Sequence, residues 1–353
     1  MSKSTLKNKI LQLHHTLLNE LHKEISSNLV LKKNKPDCHY DDILQSTESI
    51  ENWQVPKKYD DFSANGISNG SFTPDECNPM FSVAILVTYR NRQNQLDIFL
   101  PYMHNFLRKQ KIHYKIFLIE QQDNKSWNKG LLYNIGARYA MAERFPCLIL
   151  HDVDLLPLDS ANLYACAKQP RHMSASIDKF RYVLPYDYIS GGVLAVTADQ
   201  YKLVNGFSNR YEGWGGEDDD FSARITAHGM EIIRFPRHMC RYTMLVHRQE
   251  AKNSGREHLL AAGRVSAQRP PDGLHALTYS TLQVHHQRLF AQVKPIDLKE
   301  KTLDAPVICN TAHLFYVQKT FNSAHFKAYF KHYKTLLCIK CICSPLDGID
   351  HID

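Results

Sequence analysis

The sequence predicts an α/β domain built on a mostly parallel sheet. Two observations carry this. From Phe81 onward, short apolar runs of strand length alternate with stretches whose apolar residues recur at helical spacing. The acidic stretch His151-Asp-Val-Asp154 directly follows one of those apolar runs. It therefore lies at a strand's carboxyl end, where open α/β sheets bind ligands.

In chain order, residues 1–37 read as a lysine-rich helix and linker, and residues 56–80 as irregular. Ser82–Tyr89 is a buried strand. Gln95–Leu107 is a helix, because Leu96, Phe99, Leu100, Met103, Phe106 and Leu107 share one face. Tyr114–Glu120 is a second strand, Asn128–Ala142 a helix and Cys147–Leu150 a third strand. Short strands follow near Met173–Ile177 and Gly192–Val196, then a helix from Asp199. A glycine-rich turn, Gly213–Gly216, precedes a helix beginning around Asp218. Residues 252–271 read as a mobile loop, and no pattern emerges after about 300. The division is a basic segment over 1–37, one domain over 38–300 and an unassigned tail over 301–353.

A chain of 353 residues can bury a sizeable core. With 43% hydrophobic and 22% charged residues it has globular composition, which excludes global disorder and collagen-like sequence. Apolar runs such as Phe81–Val87 are less than half the ~20 residues of a spanning helix. No apolar signal region is visible near the start, so the chain as written reads as starting soluble. The net charge is +7, and seven lysines against two glutamates in residues 1–35 account for +5 of it. Nucleic-acid binding places its charge on a folded face, so a solvated basic segment is the better reading.

Nine cysteines leave at least one thiol unpaired or paired between chains. The Cys338-Ile-Lys-Cys341-Ile-Cys343 cluster lacks a second ligand pair at finger-like spacing, so zinc is the weaker reading. Asn69-Gly-Ser71 and Asn124-Lys-Ser126 are glycosylation sequons.

Four stretches carry chemistry. Asp152 and Asp154, one residue apart, suit a hard divalent ion and its phosphates, although Asp-x-Asp alone is common. Trp214-Gly-Gly-Glu-Asp-Asp-Asp220 places four mutually repelling acids at a helix start, where the helix dipole favours them. An aromatic beside a carboxylate holds a sugar and deprotonates its hydroxyl; the bland alternative is a solvated acidic cap. Met244-Leu-Val-His247 offers a metal-ligating imidazole, although a strand-end histidine is more often structural and a thioether is soft for manganese. Tyr89-Arg-Asn-Arg92 puts two guanidiniums at the sheet edge that carries Asp152 and Asp154. Guanidinium forks recognise phosphate, so a metal-bridged nucleoside diphosphate fits that edge.

Together these stretches resemble the β-1,4-galactosyltransferase family. Gln169-Pro-Arg-His172, Asp178-Lys-Phe180, Gly191-Gly-Val193, Asn205-Gly-Phe207, Gly213-Trp-Gly-Gly-Glu-Asp-Asp-Asp220 and Asp272-Gly-Leu274 add to the match, which covers about residues 77–290. The resemblance implies a GT-A type nucleotide-sugar-binding, Rossmann-like glycosyltransferase fold with a single catalytic domain. It implies a manganese-dependent, inverting transfer from a UDP-sugar to the 4-hydroxyl of a terminal GlcNAc on a glycan.

Roles follow from the resemblance position by position. Arg90 and Arg92 would hold the diphosphate. Trp127 would stack on uracil, with Lys129 nearby in place of the family's arginine. Asp152, Val153, Lys179, Ile189 and Gly192 would line the donor site. Asp154, Met244 and His247 would bind Mn2+. Trp214, Gly216 and Asp219 would hold the acceptor, with Glu217 beside Asp218 as general base. Galactose transferases of the family typically carry tyrosine where Ile189 stands. Isoleucine leaves room for an acetamido group, which resembles the N-acetylgalactosaminyltransferase branch. UDP-GalNAc is then the expected donor, with UDP-Gal as the alternative and an inactive sugar-binding protein as a remoter one.

The resemblance also implies disulfides Cys147–Cys166 and Cys38–Cys77, an oxidising compartment and the Golgi lumen or membrane. Neither nucleic acid nor a membrane span is expected of this chain. The stretch 252–269 and the tail after 300 depart from the family's pattern.

Overall fold

The computed structural model describes residues 16–59, 62–248, 250–265, 272–277 and 281–296, all within one unit spanning 1–300. Its elements are β1 (Ser71–Phe72), β2 (Ser82–Tyr89), α1 (Gln93–Arg108), β3 (His113–Glu120), α2 (Lys129–Ala142) and β4 (Cys147–Asp152). There follow β5 (Leu155–Pro157), β6 (Arg171–His172), β7 (Ser176–Ile177), β8 (Val193–Thr197), α3 (Ala198–Leu203) and α4 (Glu217–Ala227). The last are β9 (Arg241–Met244), α5 (Arg256–Val265), β10 (Thr281–His286) and β11 (Ala291–Ile296). The main sheet runs β10-β11-β3-β2-β4-β8-β6, with β1 also on β3. Its centre, β11-β3-β2-β4, is parallel, and β8 and β6 add antiparallel strands. A small second sheet runs β5-β9-β7.

Both faces of the main sheet are covered, which is why its strands read as unbroken apolar runs. Along β2 every side chain is buried, and successive residues serve opposite layers. Val83, Ile85 and Val87 join the layer that holds Phe99, Leu100 and Met103 of α1. Ala84 and Leu86 join the layer that holds Leu132, Ile135 and Ala140 of α2. Full burial of each such aliphatic side chain contributes about 1.5–3 kcal/mol.

One glycine beside α2 is dictated by close approach. Asn134 of α2 is a buried hub: its Oδ1 accepts from Tyr201 Oη (2.7 Å) and Phe207 N (3.0 Å), and its Nδ2 donates to Phe207 O (2.8 Å). Gly206 passes over this hub with φ +60°, and a Cβ there would stand 2.2 Å from Asn134 Oδ1. Gly206→Ala is therefore expected to destabilise the fold by about 2–3 kcal/mol, read as a lowered urea midpoint. An unchanged midpoint would show that the hub can yield.

Several boundaries differ from the sequence reading. The third strand runs on to Asp152, because Asp152 N–H donates to Gly192 O (3.0 Å). The expected strand near Met173–Ile177 is two short strands, β6 and β7, serving different sheets. The stretch 252–271, expected as a mobile loop, instead forms α5 over Arg256–Val265; residues 266–271 lie outside the described ones. The β10–β11 hairpin, which the sequence reading did not anticipate, extends the sheet beyond β3. At the other end Leu21 is buried and bridges Ala167, so residues near 20 pack on the domain.

Disulfides join Cys38 to Cys77 and Cys147 to Cys166, as the resemblance implied, and Cys240 is a buried free thiol. Cys309 and the Cys338–Cys343 cluster lie outside the described residues. Among the described residues no helix is long and apolar enough to cross a membrane.

Candidate active site

The parallel pairing of β2 and β4 puts Thr88 opposite Asp152, so the residues after both strands open at one sheet edge. There a cavity of about 550 Å³ is lined by Arg90, Arg92, Trp127, Lys129, Asp152, Val153, Asp154, Ile189, Trp214, Gly216, Glu217, Asp218, Asp219 and His247. These residues come from segments more than 150 positions apart in the chain.

The carboxylates are organised by one buried cation. Lys129 Nζ lies 3.0 Å from Asp152 Oδ1, 3.4 Å from Asp218 Oδ2 and 3.8 Å from Glu217 Oε1. Burial works against the lysine's charge, but Asp152, Asp218 and Glu217 outweigh it and hold the group well above the ordinary lysine value. Burial raises Asp152 to about 6, against the pull of Lys129. Burial and the neighbouring Asp218 charge raise Glu217 to about 7, and Glu217 Oε2 is buried without a hydrogen-bond partner.

The acidic run at the start of α4 divides among distinct partners. Asp219 Oδ1 accepts from Tyr186 Oη at 2.9 Å. Asp220 accepts from Arg224 Nε at 2.6 Å, and Arg224 also reaches Asp272 at 2.8 Å; this buried pairing anchors the helix. Asp218 stands against Gly191, where a Cβ would come within 2.5 Å of its Oδ2, so only glycine leaves the carboxylate its place.

On the opposite side, Asp154 Oδ2 lies 2.8 Å from His247 Nδ1. The small sheet causes this. Leu155 pairs with Met244, and Leu245 N donates to Asp154 O (2.7 Å), bringing Asp154, Met244 and His247 into one neighbourhood. The hydrogen bond that His247 donates to Asp154 raises His247 above the ordinary imidazole value. Asp154 Oδ1 is buried and has no partner. A buried carboxylate oxygen left unpaired beside an imidazole fits a cation site. His151 is no part of it: burial lowers its pKa to about 4, and its ring contacts Tyr164 Oη and Asp152 O.

Trp127 lies under Arg90, whose guanidinium carbon is 5.3 Å from the ring centroid. Trp214 is partly exposed at the mouth, with Arg256 5.9 Å from its ring. Three expected residues fall outside the lining. Lys179 is exposed on a short turn, while its neighbour Asp178 accepts from Thr243 Oγ1 and Met244 N. Gly192 serves through its carbonyl to Asp152, and Met244 is half-buried against the core. Lining residues that the sequence reading missed are Tyr186, Tyr188, Glu250, Arg256, Glu257 and Leu260. The two tyrosines flank the same stretch as Ile189, so that stretch held the signal. The other four belong to the segment misread as a loop or its approach.

The pattern named "N-terminal region of glycosyl transferase group 7" matches residues 42–167, and "N-terminal domain of galactosyltransferase" matches 171–248. Beta-1,4-galactosyltransferase 3 of Rattus norvegicus is 42% identical over 220 residues, 61% of this chain and 55% of that protein. The chain thus spans about half the length of that relative. Beta-1,4-galactosyltransferase 4 of Mus musculus is 39% identical over 231 residues, 64% of this chain and 67% of that one. The catalytic domain of Drosophila beta-1,4-galactosyltransferase 7, solved with xylobiose, has a TM-score of 0.54 and 28% identity, covering 62% of this chain and 95% of that one. A mutant of it solved with manganese, UDP-Gal and xylobiose has a TM-score of 0.53. The fold is the GT-A type glycosyltransferase fold in a single domain. The chain belongs to the β-1,4-galactosyltransferase family.

Proposed function

We propose that this chain transfers a hexosyl group from a UDP-sugar to a sugar hydroxyl, inverting the anomeric carbon. The observation that carries the reading is one cavity lined together by the Arg90–Arg92 pair, Asp152 and Asp154 of the sheet edge, Asp218 and Trp214. Arg90 and Arg92 hold the diphosphate through their fork donors. Trp127 offers its face to the base, and Asp152 takes a hydroxyl of the donor. Trp214 packs on the acceptor sugar, and Asp219 accepts from one of its hydroxyls. Asp218 removes the proton from the attacking hydroxyl. One displacement then turns an α-linked donor into a β product.

Asp154, Met244 and His247 are the residues that would hold manganese, and the unpaired Asp154 oxygen supports that assignment. When bound, the ion supplies positive charge against the diphosphate that departs. The Drosophila relative's complex with manganese and UDP-Gal supports both cofactor and donor class. The two disulfides support folding in an oxidising compartment, in keeping with a Golgi lumenal enzyme.

On the donor sugar, the names of the relatives support galactose better than GalNAc. Ile189 favours the second reading. It lines the cavity, and by the resemblance it stands where galactose transferases typically carry tyrosine, so its smaller side chain would leave space beside the sugar's C2. The test is a competition on the secreted chain between UDP-Gal and UDP-GalNAc, with manganese and a terminal GlcNAc acceptor. Galactose preference is expected on the first reading; GalNAc preference would replace it with the second. In either case Ile189→Tyr is expected to lower the GalNAc-to-Gal ratio at least about tenfold. An unmoved ratio removes Ile189 as the selector. Transfer of neither sugar, with UDP bound, would leave an inactive sugar-binding protein.

A further inference from the structure

The strap that follows β9 contributes His247 and Glu250 to the cavity wall and then meets Trp214. Leu245 N donates to Asp154 O (2.7 Å), Gln95 Nε2 donates to Val246 O (2.7 Å) and Arg92 Nη2 donates to Arg248 O (2.5 Å). Beyond it, Trp214 N donates to Ala251 O (2.8 Å), and Asn253 N donates to Trp214 O (3.0 Å). Main-chain bonds on both sides thus fix the position of Glu250. Its carboxylate lies 3.5 Å from Arg90 Nη2 and 3.8 Å from Arg92 Nη2.

We propose that Glu250 is an internal stand-in for the donor's diphosphate and competes with it for Arg90 and Arg92. The inference rests on the reading that these two arginines hold the diphosphate. Two guanidiniums held side by side repel each other, and an anion between them relieves this. Among the described residues, Glu250 is the carboxylate in ion-pair range of both. Both distances exceed those of a direct charged hydrogen bond, so the pairing is loose enough to release. A diphosphate offers more charge and more acceptor oxygens to the same forks, and displaces the side chain on entry. The residue therefore sets donor affinity rather than preventing donor binding. Glu250 is about one-third exposed, so solvent screening keeps the effect modest.

The test is calorimetric titration of the full chain and its Glu250→Gln variant with UDP and, separately, uridine, both with manganese. Glu250→Gln keeps size and hydrogen bonding but removes the charge. UDP is expected to bind the variant about three- to ten-fold more tightly, with uridine unchanged and the gap narrowing as salt rises. Equal or weaker UDP binding by the variant, with wild-type UDP binding intact, would overturn the stand-in role alone. Equal tightening of uridine would also overturn it, since the change would then lie in the strap and not in the diphosphate's charge. Failure of UDP to bind either protein would remove the diphosphate reading and this inference with it.

Discussion

Asp218→Asn is expected to lower the transfer rate by about 10²–10⁴-fold while leaving UDP binding within twofold of the wild type. The substitution preserves volume, which matters because Gly191 leaves so little room beside the Asp218 side chain. Asparagine cannot take a proton from the attacking hydroxyl. Its neighbours are poorly placed to substitute. Asp219 is already engaged by Tyr186 Oη, and Asp220 is held by Arg224. Glu217 is buried, and with its pKa pushed up to about 7 it is partly protonated at neutral pH. Removing the Asp218 charge also removes one of the influences that raise Glu217, so in the variant Glu217 ionises at a lower pH, and any rescue by it sets in there. The measurement is the initial rate of transfer from UDP-Gal and UDP-GalNAc, alongside UDP titration. A loss smaller than tenfold would take the base role away from Asp218 and make Glu217 the next candidate.

The sequence was most legible where burial is complete. The run Ser82–Tyr89 shows as an apolar strand because both faces of β2 are covered, and no polar face interrupts it. The face of α1 was legible for a related reason: Leu96, Phe99, Leu100, Met103 and Leu107 pack on one layer at helical spacing. The β10–β11 hairpin was not legible, since much of it is exposed and its histidines and glutamines break any apolar rhythm. α5 was hidden by the polar, glycine-containing sequence around it.

The chemistry divides in the same way. That Arg90, Arg92, Asp152 and Asp154 share an edge follows from which strands they end, and strand ends can be read locally. The partition of the four acids of α4 cannot, because their partners lie far away in sequence. Lys129 shows this most clearly. The resemblance placed it near uracil in place of an arginine, yet its ion pairs reach Asp218, 89 residues on. Glu250 is likewise close to His247 in sequence, but its partner arginines are brought to it only by the strap's path across the sheet edge.

Asp154→Ala is expected to abolish manganese-dependent UDP binding. Loss of residues that merely orient metal ligands typically weakens metal affinity 10–100-fold, so loss of a ligand is expected to exceed about 100-fold. On the proposed assignment Asp154 would supply the anionic oxygen of the group; imidazole and thioether are neutral ligands, and a thioether is a weak partner for manganese. The alternative is that Asp154 only pairs with His247 and shapes the turn into β5. The two roles predict different responses of the variant when metal is added. A ligand role means that manganese raises the melting temperature of the wild type, because it binds the folded state, and that Asp154→Ala loses this rise. A purely structural role means that the variant melts lower but keeps the rise. Thermal melts of both proteins with and without manganese, repeated with UDP, separate the cases. An undiminished manganese response in Asp154→Ala would remove Asp154, and with it the Met244 and His247 assignment that depends on its position.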